Sequence, residues 1–114
     1  MIELAKVFKA LSDPNRLRII KMLEERPLCG CEIQTVLSLA ASTVSKHLSI
    51  LRDVGFACDE KDNKWVNYSL NQHTKNHVIK VLLPLLSTWM PEDDICQRDL
   101  ERVRNVNRNE LCKM

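Results

Sequence analysis

Val44-Ser45-Lys46-His47-Leu48-Ser49-Ile50-Leu51-Arg52-Asp53-Val54-Gly55-Phe56-Ala57-Cys58-Asp59-Glu60 changes period at its glycine. Before Gly55, Val44, Leu48 and Leu51 recur at i, i+4 and i+7, the spacing of one helix face, so Ser42, Thr43, Ser45, Lys46 and Ser49 are left on the exposed side. After it, Phe56, Cys58 and Glu60 alternate with Ala57 and Asp59, the period-two pattern of a strand. Lys61-Asp62-Asn63-Lys64 then turns into Trp65-Val66-Asn67-Tyr68-Ser69-Leu70, which completes a β-hairpin. Gly55 suits the C-terminal cap of the helix. A helix followed at once by a hairpin is the second half of a winged helix–turn–helix when another short helix precedes it.

Residues 30–38 supply that helix, with Ile33, Val36 and Leu37 apolar, and residues 38–41 make the tight connection. Further upstream, Asp13-Pro14 is a helix start: the carboxylate can cap free backbone N–H groups, and proline fits the first turn. The helix it opens runs from residue 14 to about 25, with Leu17, Ile20, Met22 and Leu23 inward, Arg16, Arg18 and Lys21 outward, and Pro27 ending it. Leu4, Val7, Phe8 and Leu11 place a first helix over residues 2–12. Downstream, a long apolar helix is expected from Thr74 through Met90. It carries more hydrophobic surface than one side of a small domain can bury, so a second copy of the chain is expected to cover part of it. Pro84 removes one helical hydrogen bond and should kink that helix near Lys80. A further amphipathic helix is expected from Glu92 to about Val103, followed by a loosely held end.

The expected fold is therefore mainly α with a small β-hairpin, a winged helix–turn–helix that dimerises through its N-terminal and C-terminal helices. Residues 1–90 are expected to form this winged helix–turn–helix and dimerisation domain, which the resemblance given below implies is DNA-binding, and residues 91–114 a C-terminal helix and tail carrying Cys96 and Cys112. Composition agrees with one folded unit: 114 residues, 45% hydrophobic, with only 2 Gly and 4 Pro, hold one core and leave little room for disorder. The net charge of +2 is too small to imply nucleic acid by itself. The first residues, Met1-Ile2-Glu3-Leu4-Ala5-Lys6, lack the apolar stretch of a signal peptide. The longest apolar run, residues 78–90, is broken by Lys80 and Pro84 and falls short of the roughly 20 residues that span a bilayer. A cytoplasmic protein with no membrane partner is expected. His-Glu-x-x-His, phosphate-loop, dinucleotide-turn and Gly-x-Ser-x-Gly patterns are all missing, so an enzyme is not expected.

Four blocks carry a family resemblance: Leu11-Ser12-Asp13-Pro14-Asn15-Arg16-Leu17-Arg18-Ile19-Ile20, Leu28-Cys29-Gly30-Cys31-Glu32-Ile33, Ser42-Thr43-Val44-Ser45-Lys46-His47-Leu48 and Lys64-Trp65-Val66-Asn67-Tyr68-Ser69-Leu70. In this order they resemble the ArsR/SmtB family of bacterial metal-responsive repressors over residues 1 to about 90. The resemblance implies a homodimeric winged-helix repressor that leaves double-stranded operator DNA when an inducer binds. On that reading Ser42, Thr43, Ser45, Lys46 and His47 are the candidate base and phosphate contacts. His47, beside Leu48, can equally pack against the buried seam. In the hairpin, Lys61 and Lys64 can meet phosphates, but Asp59, Glu60 and Asp62 would repel them, so this wing is expected to add little affinity.

Five cysteines, an odd number in a chain without a secretory signal, are a poor disulfide framework. Cys29-Gly30-Cys31 resembles the family's Cys-x-Cys signature just before the recognition helix, which implies thiolate ligation of As(III) or Sb(III), or in some members cadmium or lead. Thiolates are soft donors and select soft ions. Two residues of regular helix separate side chains by about 200°, so the helix start must unwind for both sulfurs to reach one ion. The resemblance to three-cysteine sensors fails at Gln34, where those carry a further cysteine. The third thiolate must then come from Cys58, Cys96, Cys112 or a small thiol, with Cys112 reaching furthest and Cys96 able to pair with it in a separate site. Cys58 reads as a packing residue. His73 and His77 have a ligand-like spacing, but the rest of the family's zinc pattern is missing, so they read as solvated. A winged-helix repressor whose cysteines sense oxidants is the alternative, and a thiol oxidoreductase or metal carrier a third.

Overall fold

The computed structural model describes residues 1–111. Its helices are α1 (Ile2–Leu11), α2 (Pro14–Glu25), α3 (Gly30–Leu37), α4 (Ala41–Val54), α5 (His77–Ser87), α6 (Asp94–Asn105) and α7 (Arg108–Leu111), and its strands are β1 (Leu28–Cys29), β2 (Ala57–Asp62) and β3 (Trp65–Leu70). The helix–turn–helix is α3–α4, and the β2–β3 hairpin is the wing. Asp13 caps α2 by accepting from the backbone N–H of Asn15 (2.8 Å) and Arg16 (3.3 Å). Burial opposes ionisation of this carboxyl, but those two bonds and the nearby His47 and Arg16 hold it below its ordinary value. Ser38 ends α3 in a left-handed conformation (φ 57°), which turns the chain tightly into α4.

On α2 the buried side is Ile19, Ile20, Met22 and Leu23, whereas Leu17, expected inward, is only half-buried; on α3 and α4 the core lies where the period placed it. Ile19, Ile20, Met22, Ile33, Val36, Val44, Leu48 and Leu51 are buried, and Phe56 closes the cluster at the α4–β2 junction. Gly55 there has φ 110°, a conformation that strains any L side chain, and a Cβ would lie 3.2 Å from Ile79 Cδ1, which would have to give slightly.

Four other expectations need correction. The sheet has three strands in the order β1-β3-β2, all antiparallel, because Leu28 pairs with Tyr68 and Cys29 with Asn67. A two-residue strand is too short to show a period. The long apolar helix begins at His77 rather than Thr74, because Asn76 Oδ1 accepts from the N–H of Val78 (2.9 Å) and Ile79 (3.3 Å) and so caps it there. It stops at Ser87, and Met90 then takes a positive φ of 58° ahead of Pro91. Lys21, expected outside, is buried: its ammonium donates to the carbonyls of Leu86 (2.8 Å) and Trp89 (3.0 Å) at the end of α5 and pairs with Glu24 (2.8 Å). These carbonyls lie at and just beyond the C-terminal end of α5, where a cation is favourably placed, although the Leu86 carbonyl also accepts from the Trp89 N–H (3.1 Å). Finally, α6 runs from Asp94 to Asn105, and a short α7 follows it and packs on α3.

The excess apolar surface is real. Phe8 on α1, Val81 and Leu85 on α5, and Trp89 and Met90 beyond it stay exposed, although Leu82 packs against the core. Among the described residues no helix is long and apolar enough to cross a membrane.

Candidate functional site

On α4, Ser42, Thr43, Ser45 and Lys46 are exposed and His47 is half-buried. Ala40 opens this helix without a capping side chain, so its first-turn N–H groups are free to face a phosphate. His47 is held from behind, with Arg16 Nη1 3.1 Å from its Nδ1. A guanidinium can only donate, so Nδ1 accepts, which puts the proton of the neutral imidazole on Nε2. Arg16 is in turn locked by the carbonyls of Ala10 (2.7 Å) and Lys9 (3.1 Å). Arg16, Lys46 and His47 thus line one concave surface with Ser42 and Thr43. Periodicity had placed Arg16 on the outer face of its helix; its part in orienting His47 is a long-range contact that no local pattern contains.

Lys61 and Lys64 are exposed on the wing. The wing's acidity, however, is offset by ion pairs. Asp59 pairs with Arg52 (3.1 Å) and Asp62 with Arg108 (2.8 Å), so two of the three carboxylates expected to repel DNA are neutralised from other elements.

The cysteines are dispersed. Cys29 is the buried residue that ends β1 and precedes α3 in extended conformation (φ −82°, ψ 163°); its N–H donates to Glu32 Oε1 (3.0 Å). Because Cys29 lies outside the helix, the helical 200° separation from Cys31 does not govern the pair. Cys31 is half-buried in the first turn of α3 and is disulfide-bonded, contrary to the expectation that the cysteines are all free thiols, and its carbonyl accepts from Thr35 Oγ1 (2.9 Å). Cys58 packs in the hairpin against Ser69, with Sγ 3.3 Å from the hydroxyl oxygen. Cys96 is buried in the first turn of α6, whose N-terminus Asp93 caps at 3.0 Å. Cys112 lies outside the described residues. His73 and His77 are exposed, and no metal-ready group of three ligands occurs among the described residues.

Position along α6 separates Cys96 from the Cys29–Cys31 region. Arg26 Nη2 binds the carbonyls of Val103 and Val106 (3.0 Å each) and Glu32 Oε2 (3.2 Å), so the far end of α6 sits at the start of α3. Cys96 lies seven residues before Val103, about 10.5 Å along the helix axis from it. Leu111, by contrast, shares a cleft with Thr35, one turn after Cys31.

Burial pushes the Cys29 thiol above its ordinary value, and the Glu32 carboxylate adds to the effect. Cys96 is raised in the same way, by burial and then by Asp93. The thiolate is the reactive form, so at pH 8 iodoacetamide should label Cys29 at least about tenfold more slowly than Cys58. Peptide mass spectrometry of a time course reads this, and equal rates would show that Cys29 is open to solvent.

Residues 13–57 match the family described as bacterial regulatory protein, arsR family. The chain is 32% identical over 105 residues to the arsenical resistance operon repressor of Escherichia coli K12, covering 91% of this chain and 81% of that protein. It is 40% identical over 84 residues to a cadmium resistance transcriptional regulatory protein homolog of Staphylococcus aureus, covering 72% and 69%. Among solved structures it is similar to HlyU from Vibrio cholerae, with a TM-score of 0.63 and 29% identity over 75% of this chain and 88% of that one.

Proposed function

Since this chain belongs to the ArsR/SmtB family and is a DNA-binding transcriptional repressor with a winged helix–turn–helix, we propose that its inducer is trivalent arsenic or antimony. In the reduced protein the ion is held by the thiolates of Cys29, Cys31 and Cys112. The observation that carries this reading is the place of Cys29. Its backbone pairs with Asn67 in the wing strand and, in the same residue, begins the first helix of the helix–turn–helix. A soft ion drawing the Cys29 sulfur out of the core must therefore disturb both DNA-contacting units. The ion binds the disturbed state better than the operator-competent one, and that difference in affinity is what releases DNA.

Cys112 is the third ligand in this reading because Leu111, its chain neighbour, lies in the cleft with Thr35, whereas Cys96 is a helix length away. The printed function of the Escherichia coli relative, arsenical resistance, supports the choice of ion. A cadmium inducer through the same cysteines is the second reading, favoured by the Staphylococcus aureus relative.

The test is fluorescence anisotropy of promoter DNA bound to reduced protein, titrated in turn with arsenite, antimonite, cadmium and peroxide. Release by arsenite or antimonite at lower concentration than by cadmium supports the reading. Release by cadmium alone replaces the ion, and release by peroxide alone, reversed by reductant, replaces it with thiol redox sensing.

The functional unit we propose is a homodimer joined through α1 and α5, where Phe8, Val81 and Leu85 are exposed. Its recognition helices would sit one DNA turn apart, about 34–36 Å. Changing Val81 and Leu85 together to Glu should give a monomer by sedimentation at micromolar concentration. Operator affinity should fall by at least about a hundredfold, because each half-site must then be bound independently. A dimer that survives both changes places the interface elsewhere.

A further inference from the structure

α7 is not an idle end: it is bolted to the wing by one side chain. Arg108 donates from Nη1 to Asn67 Oδ1 (2.8 Å) and from Nη2 to Asp62 Oδ2 (2.8 Å), while its guanidinium lies 4.3 Å from the centre of the Trp65 ring. Lys64 Nζ stands 4.7 Å from the same ring. The three residues gripped are the end of β2 and the first and third residues of β3, so Arg108 spans both strands near the hairpin tip.

We propose that Arg108 is a positioning residue for DNA binding: by clamping Asp62, Trp65 and Asn67 it holds the wing in the operator-competent orientation and removes the charge of Asp62 from the phosphate-facing surface. The proposal rests on the repressor reading above. A planar fork bonded to two acceptors and stacked on an indole fixes orientation as well as position, which a point charge does not. The clamp is also tied to the Cys29 region. Asn67 is the strand partner of Cys29, and Arg26 joins Glu32, which accepts from the Cys29 N–H, to the carbonyl of Val106 two residues before Arg108. Trp65 Nε1 is buried with no hydrogen-bond partner among the described residues.

The experiment uses reduced, metal-free full-length protein carrying Trp89→Phe, so that Trp65 alone fluoresces. Arg108→Ala should raise acrylamide quenching of Trp65 about twofold, as expected for local opening. It should weaken operator binding about tenfold, because the wing loses its preorganisation and Asp62 its counter-charge. Arg108→Lys, which keeps charge and ring contact without the fork, should fall between the two, and circular dichroism should show all three folded. Unchanged quenching overturns the clamp; raised quenching with unchanged operator affinity overturns its role in DNA binding. If the parent protein itself binds no promoter DNA, the repressor reading fails, and the positioning role with it.

Discussion

Replacing Cys29 and Cys31 together by Ser is expected to abolish release of the operator by arsenite while leaving metal-free operator affinity within about threefold, since the coupling to the inducer, typically 5–150-fold, is what is lost. A hydroxyl is a hard donor of high pKa and does not substitute for a thiolate toward a soft ion. Cys31→Ser is the cleaner single change, because Cys31 is half-buried. Cys29→Ser puts a hydroxyl into a buried site and should also cost about 1–2 kcal/mol of stability. Cys112→Ser should resemble the double variant, whereas Cys58→Ser and Cys96→Ser should still release DNA. Full arsenite response in the double variant would move the sensor away from α3. Loss at Cys96 rather than Cys112 would place the third ligand at the start of α6.

Phe56→Ala is the second large effect, and it acts on the fold rather than on the inducer. Phe56 is 0% exposed and sits where helix gives way to hairpin, its N–H bonded to Leu51 O (2.9 Å) and its carbonyl accepting from Asn71 N–H (2.9 Å). The backbone bonds survive the substitution, but the ring's contacts do not, and the neighbours can collapse only partly into the space. A cost of about 3–5 kcal/mol is expected, a large share of a typical 5–15 kcal/mol total. Urea unfolding should show a lower midpoint at unchanged slope. A cost below about 1 kcal/mol would mean that the α4–β2 junction is not the centre of the core.

The exposed face of α4 was legible because exposure along a helix follows from spacing: Val44, Leu48 and Leu51 turned inward, and Ser42, Thr43, Ser45 and Lys46 had to face out. The wing's electrostatics were not. Its three carboxylates look repulsive in the string of letters, and only Arg52 and Arg108, 7 and 46 residues away from their partners, neutralise two of them. The same holds for Lys21, whose outward position on a helical wheel gave no sign that the end of α5 and the residues just after it would bring the carbonyls of Leu86 and Trp89 to its ammonium.

By itself, the order of amino acids determined the helix–turn–helix, the hairpin, the cap at Asp13 and the candidate thiols, because periodicity, turn chemistry and capping act between residues a few positions apart. Only the tertiary structure decided the rest: that Cys29 joins the wing strand to α3, that Cys96 stands far from it along α6, that Arg16 orients His47, and that Arg108 reaches back to the wing. Those facts depend on where distant segments meet, and hydrogen bonds and ion pairs with an angular preference form only after the packed core has brought their donors and acceptors together.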